Sequence, residues 1–133
     1  MKRRHIKNKY RSGLEEFTAN FLKEHNQKRI RYEDIKIKWV DLRHRTYTPD
    51  FILDNGIIIE TKGFFDSEDR RKHTEIRKQF PEYDIRFVFS NSNSRLYKRS
   101  KTTYSSWCEK NNFRYSHRII PLTWLKEKRK KWI

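Results

Sequence analysis

Asp50, Glu60 and Lys62 are the side chains whose types and spacing point most directly to chemistry. They lie in two apolar runs, Thr46-Tyr47-Thr48-Pro49-Asp50-Phe51-Ile52-Leu53 and Ile57-Ile58-Ile59-Glu60-Thr61-Lys62-Gly63, separated by Asp54-Asn55-Gly56. Two carboxylates side by side repel each other and weaken a sheet, so a positive charge belongs between them. Lys62 can be that charge. A divalent cation fits better, because paired carboxylates with a carbonyl suit Mg²⁺. Such a cation polarises a phosphoryl oxygen and lowers the pKa of bound water, while Lys62 orients that water or helps deprotonate it. The plain alternative is a carboxylate–lysine pair at a strand end, contributing about 0–1 kcal/mol and no chemistry.

The turn decides whether the carboxylates meet. A two-residue Asn55-Gly56 turn would set Asp54 opposite Ile57 and Asp50 opposite Thr61, leaving Asp50 on the wrong face. A three-residue loop, Asp54-Asn55-Gly56, changes the register by one, with Gly56 taking the left-handed position that costs other residues energy. Leu53 then stands opposite Ile57 and Asp50 opposite Glu60, and Lys62 joins their face at i+2. The second register is the expected one.

The surrounding elements must hold this hairpin in place. Ser12 opens a helix in which Leu14, Phe17, Phe21 and Leu22 recur on one face. From Ile30 to Val40 the period becomes two, with Ile35, Ile37 and Trp39 alternating with Lys36 and Lys38, as in a strand with one wet face. The hairpin arms are apolar on both faces and therefore central in a sheet. Ser67 is the expected N-cap of a helix from Glu68 to Phe80, stopped by Pro81. Ile85 to Phe89 reads as a buried strand, Ser90 to Thr102 as a loop and Tyr104 to Lys110 as a short helix. A strand at Phe113 to His117 and a last helix opened by Pro121 complete the chain. Strands and helices mix throughout, so the class is α/β or α+β.

Composition narrows the partners. The 133 residues suit one domain, and with 34% hydrophobic content the nine Phe, seven Tyr and four Trp must carry much of the burial. Thirty-three Lys and Arg against seventeen Asp and Glu give a formal charge of +16. Self-repulsion at that charge opposes compaction, so a polyanion is the natural partner. A membrane surface competes poorly, because the chain has no apolar run of about 18 residues and no basic helix with a wide apolar face. Nucleic acid is favoured. Cys108 is alone, which excludes an intrachain disulfide and a cysteine zinc cluster. No apolar segment follows the charged N-terminus, so a reduced, cytoplasmic protein is expected.

Pro-Asp, a hairpin, then Glu-x-Lys has the form of the PD-(D/E)XK nuclease pattern, which is short and degenerate. Several segments read together are more specific. Arg11-Ser12-Gly13-Leu14-Glu15, Thr46 to Phe51, Asn55-Gly56-Ile57 and Glu60-Thr61-Lys62-Gly63 occur in order. With Asp69-Arg70-Arg71-Lys72-His73, Asp84-Ile85-Arg86, Leu96-Tyr97-Lys98, Cys108-Glu109-Lys110 and Ile120-Pro121, they resemble the phage endonuclease I family. The resemblance spans residues 10 to 127.

The resemblance implies a restriction-endonuclease-like core, a mixed central sheet flanked by helices, in a homodimer that exchanges N-terminal segments. It implies cleavage of two opposed strands at four-way (Holliday) and branched DNA junctions, leaving 5′-phosphates. Two Mg²⁺ ions per site are implied, with Mn²⁺ able to substitute. Asp50 would bridge them, Glu60 and the Thr61 carbonyl would be ligands, Glu15 would complete the partner chain's site, and Lys62 would act on the water or the developing charge. Residues 1–133 then form one nuclease domain: a basic arm (1–11), an N-terminal helix (12–29), a bridging strand and connection (30–45), a catalytic core (46–127) and a basic tail (128–133). A nuclease of duplex or nicked DNA and a non-catalytic binding module are the competing readings.

Other residues divide between bland and functional roles. Ser12-Gly13-Leu14-Glu15 is also a capping box, which the pattern alone favours for Glu15, whereas the resemblance favours the metal site. Glu16 falls outside the matching position. His73 suits local packing better than catalysis, and His44 and His117 have no partner at ligand spacing. Trp39, Trp107, Trp124 and Phe87 suit a core better than base stacking. Arg95, Lys98, Arg99 and Lys101, interleaved with Tyr97 and hydroxyls, suit phosphate contacts or a solvated loop. Lys2, Arg3, Arg4, Lys7 and Lys9 form an electrostatic arm, and Arg11, Arg70 and Lys72 complete the expected DNA contacts.

Overall fold

The computed structural model describes residues 9–40 and 44–133. The expected contacts at Lys2, Arg3, Arg4 and Lys7 lie outside the described residues. Helix α1 (Gly13–Glu24) is followed by strands β1 (Arg31–Tyr32), β2 (Ile37–Val40), β3 (His44–Tyr47), β4 (Phe51–Ile52) and β5 (Ile58–Lys62). Then come α2 (Ser67–Gln79), β6 (Ile85–Phe89), α3 (Tyr104–Lys110), β7 (Tyr115–His117) and α4 (Leu122–Leu125). Five strands form a mixed sheet in the order β1-β4-β5-β6-β7, while β2 and β3 form a separate two-stranded sheet. β4 is antiparallel to β1 and β5, and β6 is parallel to β5 and β7.

The hairpin adopts the three-residue loop. Phe51 pairs with Ile59 and Ile52 with Ile58, and the Leu53 N–H donates to the Ile57 carbonyl at 2.8 Å. Gly56 sits at φ +93°, the region where a side chain on Cβ is strained. Continuing the register brings Asp50 level with Glu60, as expected.

Period two then sorts the core. Ile57 and Ile59 join Ala19 and Leu22 of α1, Phe51, Val88 and Trp124 on one face. Ile52 and Ile58 join Ile37, Trp39, Tyr47 and Ile76 of α2 on the other. A third cluster, Phe65, Phe87, Phe89, Tyr104, Cys108 and Phe113, closes the β6 side. Trp39, Trp124 and Phe87 are all buried, so they serve the core.

Three local expectations change. The run from Ile30 to Val40 is two strands, because the chain turns at Glu33 with φ +50°. The hairpin arm beginning at Thr46 is also divided: Tyr47 ends β3 in the second sheet, and pairing resumes at Phe51. Pro49 explains that gap, having no N–H for a ladder and restricting Thr48 before it. The cap of α2 is Asp66, whose carboxylate accepts from the Asp69 N–H at 2.9 Å, and Ser67 is the first helical residue. Residues 126–133, beyond α4, pack inward: Trp132 and Ile133 rest against the Ile52–Ile58 face.

Candidate active site

The end of the β4–β5 hairpin collects most of the residues singled out by chemistry. Asp50 leaves the ladder just before β4 and turns its carboxylate toward β5. Its Oδ2 accepts from the Thr61 N–H at 2.9 Å and from the Thr61 hydroxyl at 2.8 Å. Its own carbonyl accepts from the Glu33 N–H at 2.9 Å, which ties the turn after β1 to the hairpin. Asp50 is 4% and Glu60 5% exposed.

Two buried carboxylates so close resist ionisation. Burial pushes the Asp50 carboxyl up to about 8, and Glu60 and Glu15 add to the rise against the two Thr61 hydrogen bonds. Burial also raises the Glu60 pKa, opposed by Lys62, the Tyr47 hydrogen bond and Lys72. The Tyr47 hydroxyl donates to Glu60 Oε1 at 2.7 Å. Lys62 Nζ lies 3.5 Å from Glu60 Oε2 and 3.2 Å from Asp69 Oδ1. Burial works against the Lys62 charge, yet Glu60, Asp69 and Asp50 together raise its pKa. Lys62 is therefore a held cation at neutral pH.

Glu15 reaches the same place from α1. Ser12 Oγ accepts from the Glu15 N–H at 3.0 Å, which is one half of the expected capping box. The other half is redirected. The Glu15 carboxylate reaches back one residue further than expected, accepting from the Arg11 N–H at 2.8 Å, and it also accepts from the Tyr32 hydroxyl of β1. Ligand oxygens of Glu15, Glu33 and Asp50 all lie within 4.8 Å of one another, an acidic triad able to hold a metal ion. With one chain present, Glu15 stands beside Asp50 of its own chain.

A profile described as Phage endonuclease I matches residues 1–132. The chain belongs to the phage endonuclease I family. It is 47% identical to "Endonuclease I" of Escherichia phage T7 over 122 residues, covering 91% of this chain and 81% of that one. It is 48% identical to "Endodeoxyribonuclease 1" of Enterobacteria phage T3 over 122 residues, covering 91% and 80% respectively.

In this phage endonuclease I chain the expected DNA-contact residues are dispersed. Arg95, Lys98, Arg99 and Lys101 are exposed on the loop between β6 and α3, and Lys9 is exposed ahead of α1. Arg11 is exposed but pairs with Glu33 at 2.7 Å. Arg70 donates to the Phe65 carbonyl at 2.7 Å, and Lys72 Nζ lies 5.3 Å from the Tyr47 ring centroid. These last two are partly occupied by structural contacts. His73 is fully buried, edge-on to Tyr47 and Phe87 at 5.0 and 4.9 Å. Burial, with Lys72 and Lys62 nearby, lowers its pKa, so it is a neutral packing residue.

Sequence reasoning missed Tyr32, Glu33, Tyr47 and the pairing role of Asp69. Asp69 offered a signal, lying seven residues after Lys62 in the first turn of an expected helix. The other three depend on the breaks at Glu33 and Pro49, which a reading by period does not register.

Proposed function

We propose that this chain is a DNA endonuclease that, as a homodimer, resolves four-way and branched DNA junctions by metal-dependent phosphodiester hydrolysis. The observation that carries the reading is the acidic triad of Glu15, Glu33 and Asp50, with Glu60 and Lys62 close enough to act on Asp50, in a +16 member of the phage endonuclease I family. The relatives' names, endonuclease and endodeoxyribonuclease, support DNA as the substrate. No described helix is long and apolar enough to cross a membrane. The protein would act in the host cytoplasm if phage-encoded.

The donor set fits a hard divalent cation: buried carboxylates that resist carrying charge unless a cation neutralises them. Asp50, Glu60, the Thr61 carbonyl and Glu15 would hold Mg²⁺, two ions per site, with Mn²⁺ able to substitute. When bound, the metal polarises the phosphoryl group and lowers the pKa of water. Thr61 fixes one Asp50 oxygen, so the other would be the one left for a cation. Lys62, braced between Glu60 and Asp69, supplies a positive charge where negative charge develops on the phosphate. It can also orient the attacking water. The products would carry 5′-phosphates. Pairing two such sites in a dimer suits crossing helices better than one straight duplex, and the exposed lysines and arginines hold the backbone without reading bases.

The test is cleavage of an end-labelled four-way junction in Mg²⁺, beside a matched linear duplex and a Glu60→Ala variant. Symmetric cuts confined to the junction, and lost in the variant, are expected. Equal cleavage of duplex would remove junction selectivity, and tight binding without cutting under any divalent metal would leave only a binding module.

A further inference from the structure

Tyr47 is a phenol where the fold asks only for a ring. It is 2% exposed and belongs to the cluster of Ile37, Trp39, Ile52, Ile58 and Ile76. A phenylalanine would fill that volume. A hydroxyl taken into such surroundings is costly unless it finds a partner. The partner it finds is Glu60 Oε1, at 2.7 Å. We propose that Tyr47 is a positioning residue, holding one oxygen of Glu60 so that the other is offered to a bound divalent cation. The inference rests on the metal-dependent reading above.

The geometry around Tyr47 suits that role. Its backbone is fixed by the β2–β3 ladder, opposite Ile37. Its ring is braced edge-on by His73 at 5.0 Å. The hydroxyl therefore has one place to point. A buried carboxylate can turn about its terminal torsion, which is broad and roughly two-fold. A donor of fixed direction on Oε1 selects one rotation and leaves Oε2 toward Lys62 at 3.5 Å. The arrangement recurs at Glu15, where the Tyr32 hydroxyl occupies Oε1. Tyr32 ends β1 of the five-stranded sheet, whereas Tyr47 ends β3 of the two-stranded one. In this way the two-stranded sheet, which contributes no ligand, sets the orientation of one.

The experiment compares wild type with Tyr47→Phe, using Mn²⁺ titration calorimetry on the DNA-free protein and Mg²⁺-dependence of junction cleavage. Losing a hydrogen bond to a charged group predicts roughly ten-fold weaker Mn²⁺ binding and a matching rise in half-activating Mg²⁺. The rate at saturating metal should stay within a few-fold, and junction affinity in Ca²⁺ should not change. Trp39→Phe serves as the packing control: it should lower the melting temperature and leave metal affinity alone. Unchanged metal affinity in Tyr47→Phe, or an equal loss in Trp39→Phe, would overturn the proposal while leaving the metal-dependent reading intact. Should wild type neither bind Mn²⁺ nor need Mg²⁺, the parent reading falls and this one with it.

Discussion

Trp132 donates its indole N–H to the carbonyl of Gly56 at 2.8 Å, across 76 residues of sequence. Around that bond the turn is enclosed. The Lys130 N–H donates to the Asn55 carbonyl at 2.7 Å, and the Asn55 side-chain amide donates to the Trp124 and Glu127 carbonyls. A Cβ on Gly56 would lie 2.9 Å from Ile133 Cγ2 and 3.1 Å from Lys130 Cβ. The turn that sets the register of Asp50 against Glu60 is thus clamped by the last residues of the chain.

Gly56→Ala should therefore cost more than its backbone strain. Positive φ alone accounts for about 1 kcal/mol, and displacing the Ile133 contact adds to it. We expect a loss of roughly 2 kcal/mol in urea unfolding. Trp132→Phe, which removes the hydrogen bond and part of the ring packing but leaves the Gly56 backbone unstrained, should lose about 1–2 kcal/mol. Equal stability in Gly56→Ala and wild type would mean that the clamp contributes nothing.

The clamp also shows where sequence reading stops. The register was legible because only the three-residue loop sets Asp50 opposite Glu60, and Gly56 can take the left-handed position which that loop needs. The burial of β5 and β6 was legible from runs of Ile, Val and Phe. The role of Trp132 and Ile133 was not, because the six residues from 128 to 133, four of them lysine or arginine, read as a basic tail whatever they touch. Tyr47 was hidden differently. Read as part of the hairpin arm it would belong to the central sheet, whereas the gap at Pro49 assigns it to the second sheet and aims it at Glu60. Glu33 was hidden by a left-handed turn that its residue type does not announce.

A buried guanidinium makes the acid side of the stability curve predictable. Arg86 is 1% exposed and bonds Asp84 and Glu127, at 2.7 to 2.9 Å. The Arg86 hydrogen bonds, with Lys130 beside them, hold the Glu127 carboxyl down at about 2. A depressed carboxylate contributes stability that is present above its unfolded value near 4.5 and is lost as pH falls through about 2. Glu127→Gln should accordingly be less stable at pH 7, with the difference from wild type shrinking below pH 4. Acid titration followed by circular dichroism checks this. A difference independent of pH would assign the effect to packing.

Asp50 gives the opposite sign. Its folded pKa of about 8 lies above the ordinary value of 3.8, so in the metal-free protein the carboxyl is mostly protonated at pH 7. Between those two values the folded state binds the extra proton, so its stability falls as pH rises toward 8. A bound divalent cation requires the carboxylate and must displace that proton. Mn²⁺ binding at pH 7 should release close to one proton from this group, read by calorimetry in two buffers of different ionisation enthalpy. In Asp50→Asn the release should vanish together with the falling stability. Proton release unchanged in that variant would place the titration elsewhere.

Glu15 decides whether the site is built by one chain or two. Helix α1 is separated from Asp50 by the chain through residues 25–49, long enough for an identical partner to present the same helix. The two arrangements differ in whose Glu15 stands beside Asp50. Complementation distinguishes them. In an exchanged heterodimer of Glu15→Ala and Lys62→Ala chains, the first chain keeps Asp50, Glu60 and Lys62 and receives an intact Glu15 from the second. The other site lacks both. Without exchange, each site carries one defect and neither works. Co-refolding equal amounts gives heterodimers in about half of the dimers, so about a quarter of wild-type sites should return. They should nick one strand of a junction rather than cut both, because no dimer holds two intact sites. A mixture as inactive as either parent would mean that each chain completes its own site.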